Sequence, residues 1–186
     1  MPSVAQAEAL EVAAEFGLRI TRIHFHTGCG FLTPQLPQYD AILQECLWFV
    51  DQVATCREVN LGGGLGVPYT AEDEALDLTQ WSAVIERQFR NRDLSILLEP
   101  GAYIAHDAGL LLVTANAIEK KASKTFVGVD AGFNIALEPS MYALPFQPVP
   151  AEWKADSPKH LVSIAGNINE ALDVWFEDIE LPQVAC

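Results

Sequence analysis

No lysine occurs in the first 119 of the chain's 186 residues; all five, Lys120, Lys121, Lys124, Lys154 and Lys159, fall after that point. Basic residues are scarce throughout, 11 against 25 acidic ones, and the formal charge is -14. Such an acidic surface repels phosphate backbones and anionic headgroups, so no nucleic-acid partner and no membrane partner are expected. No apolar run approaches the ~20 residues that a spanning helix needs. Met1 leads into Ala, Glu and Gln residues, without the basic start and apolar core of a secretory signal. The four cysteines, Cys29, Cys46, Cys56 and Cys186, form no CxxC pair and have no disulfide-scaffold rhythm, which suits a reduced, cytoplasmic setting. What is present is apolar: half the residues are hydrophobic and only 19% are charged. That composition can bury a core and is too apolar for a disordered chain. The length fits one domain or two incomplete ones.

Apolar and Ala positions over 3–16 have helical spacing, and Gly17 ends the run as a C-terminal cap. Leu18–His26 reads as a strand closed by Thr27-Gly28-Cys29-Gly30. Gln38–Thr55 reads as a helix with Ile42, Leu43, Cys46, Leu47, Phe49, Val50 and Val53 on a broad apolar face. A short strand, Glu58–Leu61, runs into Gly62-Gly63-Gly64. A helix over Ala75–Phe89 and a strand over Leu94–Glu99, stopped by Pro100-Gly101, complete the series. Helix, strand and glycine-rich turn thus alternate three times within residues 1–100, which implies α/β architecture with parallel strands. Three βα units do not close an eight-stranded barrel, and the pattern alone leaves an open doubly wound sheet possible. After about residue 109 the rhythm changes. Extended segments are predicted over Leu110–Ala117, Thr125–Asp130 and Leu161–Ala165 with proline-rich connections and little helical periodicity.

In parallel α/β folds ligands bind at the C-terminal strand ends, so the residues there carry the functional reading. The triple glycine at 62–64 lets backbone N–H groups converge without side-chain obstruction, as a phosphate requires. A glycine run after a strand is more often only a tight turn, but two glycine turns on neighbouring strand ends make an anion site an even alternative. His26, with His24 on the same face by period two, reads by itself as a satisfied core histidine. Glu99 follows the apolar Ile96–Leu98 and, at a buried strand end, needs a cationic ligand or an arginine as partner. His24, His26 and Glu99 lack an established metal-ligand spacing, so no metal is expected.

The runs His24-Phe25-His26-Thr27-Gly28-Cys29-Gly30, Asn60-Leu61-Gly62-Gly63-Gly64-Leu65-Gly66 and Leu98-Glu99-Pro100-Gly101 occur in an order and at intervals that resemble the alanine-racemase-like barrel decarboxylases. These pyridoxal-phosphate-dependent enzymes act on diaminopimelate, ornithine, arginine or carboxynorspermidine. The resemblance continues through Val129-Asp130-Ala131-Gly132-Phe133-Asn134, Pro139-Ser140-Met141-Tyr142 and Gly166-Asn167-Ile168-Asn169-Glu170-Ala171-Leu172-Asp173, and so covers essentially the whole chain. It implies that residues 1–108 are the C-terminal part of a (β/α)8 barrel and 109–186 the N-terminal part of a β-rich domain. It implies pyridoxal 5'-phosphate as cofactor, a small amino-acid substrate held on it as an external aldimine while carbon dioxide leaves, and a homodimeric intact enzyme. By the same resemblance His26 stacks on the cofactor ring, and Gly28, Cys29, Gly63, Gly64 and Gly101 sit at the phosphate. Glu99 faces the pyridine nitrogen, keeping it protonated so that the ring can accept electrons. Tyr142 and Glu170 belong to the substrate pocket, Glu170 reaching across a dimer interface, and Asn169 takes the place of the proton-donating cysteine.

Several positions depart from the better-known members. Cys29 replaces a phosphate-binding serine and donates a weaker hydrogen bond. Ala102 replaces the arginine of Glu-Pro-Gly-Arg and removes a bidentate anion clamp. Glu138 stands where diaminopimelate enzymes have arginine, and Ala143 where ornithine-type enzymes have aspartate, so neither substrate pattern is reproduced. Asparagine at 169 cannot act as the usual acid. The Schiff-base lysine of these enzymes lies on the first barrel strand, before the position corresponding to Met1, and their late phosphate-binding tyrosine lies past Cys186. The expectation is an internal piece of about half a decarboxylase, inactive alone. The alternatives are a racemase of the same barrel, which the motifs from Asp130 to Asp173 disfavour, and a decarboxylase-like regulatory protein without catalysis.

Overall fold

A computed structural model describes residues 4–142, 144–154 and 156–186; Ala143 lies outside the described residues. The chain divides into two compact units, Met1–Gly109 and Leu110–Cys186.

The first unit alternates α1 (Val4–Glu15), β1 (Arg22–His24), α2 (Leu36–Asp51), β2 (Glu58–Asn60), α3 (Leu78–Phe89) and β3 (Ser95–Leu97), followed by the short helix α4 (Ala102–Ala105). The three strands form one parallel sheet in the order β1-β2-β3. Arg22, Glu58 and Ser95 are in register at its start, and His24, Asn60 and Leu97 at its end. The central strand is the most enclosed, with Val59 and Leu61 just beyond it essentially without exposed surface. Against it pack Tyr39, Leu43, Leu47 and Val50 of α2, and Val84, Ile85 and Phe89 of α3. Their three- and four-residue spacings put one stripe of each helix on the sheet.

Local signals explain the boundaries. Gly17 adopts φ +64 and closes α1, with the Leu18 N–H on the Ala13 carbonyl and the Gly17 N–H on that of Ala14. Asp77 caps α3 by accepting from the N–H groups of Thr79 (2.8 Å) and Gln80 (3.1 Å). The sheet strands are shorter than expected. Leu18–His26 contributes only Arg22–His24, and Leu94–Glu99 only Ser95–Leu97. The apolar face of α2 is narrower as well, since Phe49 is solvent-exposed and stacks edge-on against Trp48. Helical spacing cannot distinguish a residue that packs on the sheet from one that packs on its neighbour.

The second unit is a four-stranded sheet, β4 (Ala115–Lys121), β5 (Lys124–Val129), β6 (Lys159–Ala165) and β7 (Val174–Pro182), ordered as numbered. The outer pairs are antiparallel, whereas β5 and β6 run parallel. Val127, Val129, Val162, Ile164, Trp175 and Leu181 form its core. Three features differ from expectation: β4 begins at Ala115 rather than at 110, Leu137–Tyr142 is a helix (α5), and β7 was not foreseen. Glu177, Asp178 and Glu180 interrupt the alternation of β7, and Asp178 itself turns to φ 52. The architecture is therefore mixed α/β with two sheets.

Candidate active site

All three parallel strands deliver their following residues to one end of the sheet. Backbone bonds splice the three loops together: the Phe25 N–H donates to the Asn60 carbonyl, Leu61 to Leu97, and Glu99 to Gly62. A second seam joins Phe31 and Leu65 in a parallel bridge, with Phe31 N donating to Gly64 O (2.9 Å) and Gly66 N to Phe31 O (2.9 Å). These seams leave no room for side chains. A Cβ on Gly63 would lie 2.6 Å from the Glu99 carbonyl oxygen, and one on Gly64 would overlap the Gly28 carbonyl. Gly64 moreover has φ +95, a conformation open to glycine at little cost.

Around this backbone cradle the structure gathers His26, Gly28, Cys29, Gly63, Gly64 and Glu99. His26 Nδ1 accepts from the Gly63 N–H at 3.4 Å, and its Nε2 lies 3.5 Å from Cys29 Sγ. An accepting Nδ1 leaves the proton of the neutral ring on Nε2, directed at the sulfur. The Thr27 hydroxyl is buried without a hydrogen-bond partner, and among the described residues the Gly28 and Gly64 N–H groups make no hydrogen bond. Unpaired donors on converging glycine turns fit a phosphate.

Glu99 differs from its expected surroundings. Its side chain is 58% exposed, and Ile96 and Leu98 are exposed with it, because β3 is an edge of the sheet. Among the described residues its partner is not an arginine. Asn60 donates from Nδ2 to Glu99 Oε1 at 2.6 Å, and His24 Nε2 approaches Oε2 at 3.6 Å. Asn60 is buried and also accepts the Gly62 N–H at 2.8 Å, so one amide fixes both the carboxylate and the first glycine of the turn. The sequence reading passed over it; an Asn two residues before the triple glycine is its only signal. Gly101 has open space around it and starts α4, whose Ile104 and Ala105 N–H groups donate to its carbonyl.

Tyr142, Asn169 and Glu170 belong to the second unit. Tyr142 ends α5 and is 67% exposed. Asn169 and Glu170 are exposed in the turn between β6 and β7, where the Glu170 carboxylate accepts the Ala171 N–H at 2.9 Å. A second residue without an expected role, Asp173, closes that turn: its backbone N–H donates to Glu170 O at 3.0 Å.

Residues 42–186 match the family model described as the pyridoxal-dependent decarboxylase C-terminal sheet domain. The chain is 36% identical over 197 residues to a diaminopimelate decarboxylase of Methanothermobacter thermautotrophicus, covering 97% of this chain and 45% of that protein. It is 31% identical over 141 residues to a diaminopimelate decarboxylase of Escherichia coli K12, covering 72% and 33%. A crystal structure of diaminopimelate decarboxylase superimposes with a TM-score of 0.73 at 26% identity, covering 97% of this chain and 46% of that one. The enzyme of M. jannaschii in co-complex with L-lysine gives 0.71 at 26% identity, covering 96% and 43%. This chain thus spans less than half the length of each of these relatives. With a family model covering most of its residues and the cradle at its strand ends, the chain belongs to the pyridoxal-dependent amino-acid decarboxylases.

Proposed function

We propose that the chain supplies part of the active site of a decarboxylase resembling those that act on diaminopimelate, with residues 1–108 belonging to a (β/α)8 barrel and 109–186 to the start of a β-rich domain. The observation that carries this reading is the convergence of His26, Cys29, Gly63, Gly64 and Glu99 at one end of three parallel strands. Bound pyridoxal phosphate supplies an electron sink for the bond to the departing carboxylate. The chain's own residues do the rest. N–H groups of Gly28 and Gly64 hold the phosphate, with weaker help from the Cys29 thiol. His26, whose ring is held by Gly63 and Cys29, would stack on the cofactor ring. Glu99, aimed by Asn60, would keep the ring nitrogen protonated. Gly101 offers a further N–H to the phosphate, and Tyr142 and Glu170 shape the amino-acid pocket of a dimeric enzyme.

A second reading, a cofactor-binding relative without turnover, is favoured by Asn169, whose amide is too weak an acid to protonate a carbon. Both readings require the cradle to bind pyridoxal phosphate. Equilibrium dialysis of the purified chain is expected to show saturable binding that inorganic phosphate competes away and that Gly64→Ala removes. A wild-type chain that binds no pyridoxal phosphate sinks both readings.

A further inference from the structure

We propose that Asp173 is a positioning residue that holds the turn bearing Asn169 and Glu170 in place; the proposal rests on the reading of that turn as part of the amino-acid pocket. Asp173 is 2% exposed, yet among the described residues it forms no ion pair. A carboxylate can be buried without a cation only if hydrogen bonds replace its water. Here three do. Oδ1 accepts from the Phe133 N–H (2.8 Å) and from the Trp175 indole Nε1 (3.0 Å), and Oδ2 accepts from the Ile168 N–H (2.8 Å). The donors come from three segments: the loop after β5, the turn after β6, and β7. The packing is built around this group. A Cβ on Gly132 would lie 2.8 Å from Oδ2, and one on Gly166 would overlap the carboxylate.

The other contacts of the turn divide its labour. Asn167 fastens the entry, its N–H to Ala131 O (3.1 Å) and its Nδ2 to Asp130 O (2.9 Å). From Ile168 onward the described hydrogen bonds of the turn are internal, except for those to Asp173, at its Oδ2 and its backbone N–H. That bond to Oδ2 and the Asp173 N–H on Glu170 O are what tie Asn169 and Glu170 to the sheet, and both are made by Asp173. Because all three carboxylate contacts require Asp173 to accept, an asparagine can satisfy only one side. Its oxygen belongs where two donors converge, at Oδ1, which turns its NH2 toward the Ile168 N–H, donor against donor.

The test uses the 186-residue chain and nuclear magnetic resonance. In Asp173→Asn, amide exchange of Ile168 through Ala171 is expected to accelerate about tenfold or more, while Phe133, the Trp175 indole and the β6–β7 amides keep wild-type protection. In parallel, L-lysine is titrated while the Asn169 and Glu170 amide shifts are followed, and the variant is expected to need several-fold more ligand. Unchanged exchange at Ile168, or equal acceleration throughout β6 and β7, overturns the positioning role. Wild-type affinity in the variant does so too. If L-lysine leaves Asn169 and Glu170 unmoved in the wild type, the pocket reading fails instead, and the proposal fails with it. Should Asp173→Asn not fold, Ile168→Pro deletes the same single donor with the carboxylate intact, and the same local release is expected.

Discussion

Glu99 accepts the Asn60 amide on Oε1, which determines what a glutamine there would do. In Glu99→Gln the side-chain oxygen stays with Asn60 and the NH2 is turned to the other side, where a ring nitrogen could only be met unprotonated. Measured in a decarboxylase completed with its lysine-bearing strand, turnover is expected to fall by several orders of magnitude. Once a complete barrel and bound cofactor exclude water from Glu99, a lost charge interaction there would be worth several kcal/mol. Cofactor affinity should change little, since the phosphate contacts at Gly28 and Gly64 persist; turnover within a few-fold of wild type would remove Glu99 from the ring nitrogen. His26, Cys29, the glycines and Glu99 could be singled out as candidates because each sits in a short contiguous run that resembles a family motif. Asn60 and Asp173 were not. Asn60 takes its meaning from Glu99, 39 residues on, and Asp173 from Phe133, 40 residues back. Their local partners, Gly62 for Asn60 and Ile168 and Trp175 for Asp173, do not by themselves reveal these longer-range contacts.

At the level of elements, α2 and α3 are joined through Asp40, which accepts Gln88 Nε2 at 2.7 Å and pairs with Arg87 at 2.8 Å. The Gln88 amide, with Arg87 beside it, holds the Asp40 carboxyl below its ordinary value. A carboxylate whose native pKa is depressed contributes stability above its unfolded value and loses it as pH falls through the native one. Asp40→Asn is therefore expected to cost about 0.5–1 kcal/mol near neutral pH, as partly exposed pairs do. That difference should shrink from roughly pH 4 downward, where the unfolded aspartate begins to titrate. Urea melts of both proteins from pH 7 to 3 check it, and a constant gap would rule the mechanism out. The amphipathic helices were the most legible elements, since Leu43, Leu47 and Val50 on α2 and Ile85 and Phe89 on α3 repeat with the helical period. Strand ends were less so. Strand pairing stops where the neighbouring chain turns away, and this depends on the partner strand rather than on the run itself. β7 was hidden by its acidic residues, two of which find their counter-charge on Lys124 of β5 (Glu177 at 2.9 Å, Asp178 at 3.1 Å).

For the molecule as a whole, the distribution of lysine sets the expected chemistry. The unit that carries the cradle, Met1–Gly109, offers no side-chain amine to a carbonyl cofactor. The purified chain, given pyridoxal phosphate and diaminopimelate or L-lysine, is expected to release carbon dioxide no faster than the cofactor alone. Sustained release above that background would overturn the requirement for a lysine from elsewhere. The strand pairs also differ in how far apart their partners lie along the chain. Lys121 and Lys124 are paired across a turn of two residues, whereas Arg22 meets Glu58, and Glu58 meets Ser95, only after a whole intervening helix has been laid down. Closing the longer loops costs more chain entropy before any contact offsets it. The β4–β5 hairpin can therefore form within microseconds of collapse. The parallel sheet has to wait for α2 and α3, just as β5 has to wait for β6, so the cradle, which exists only where its three strands end together, is expected to form after that hairpin.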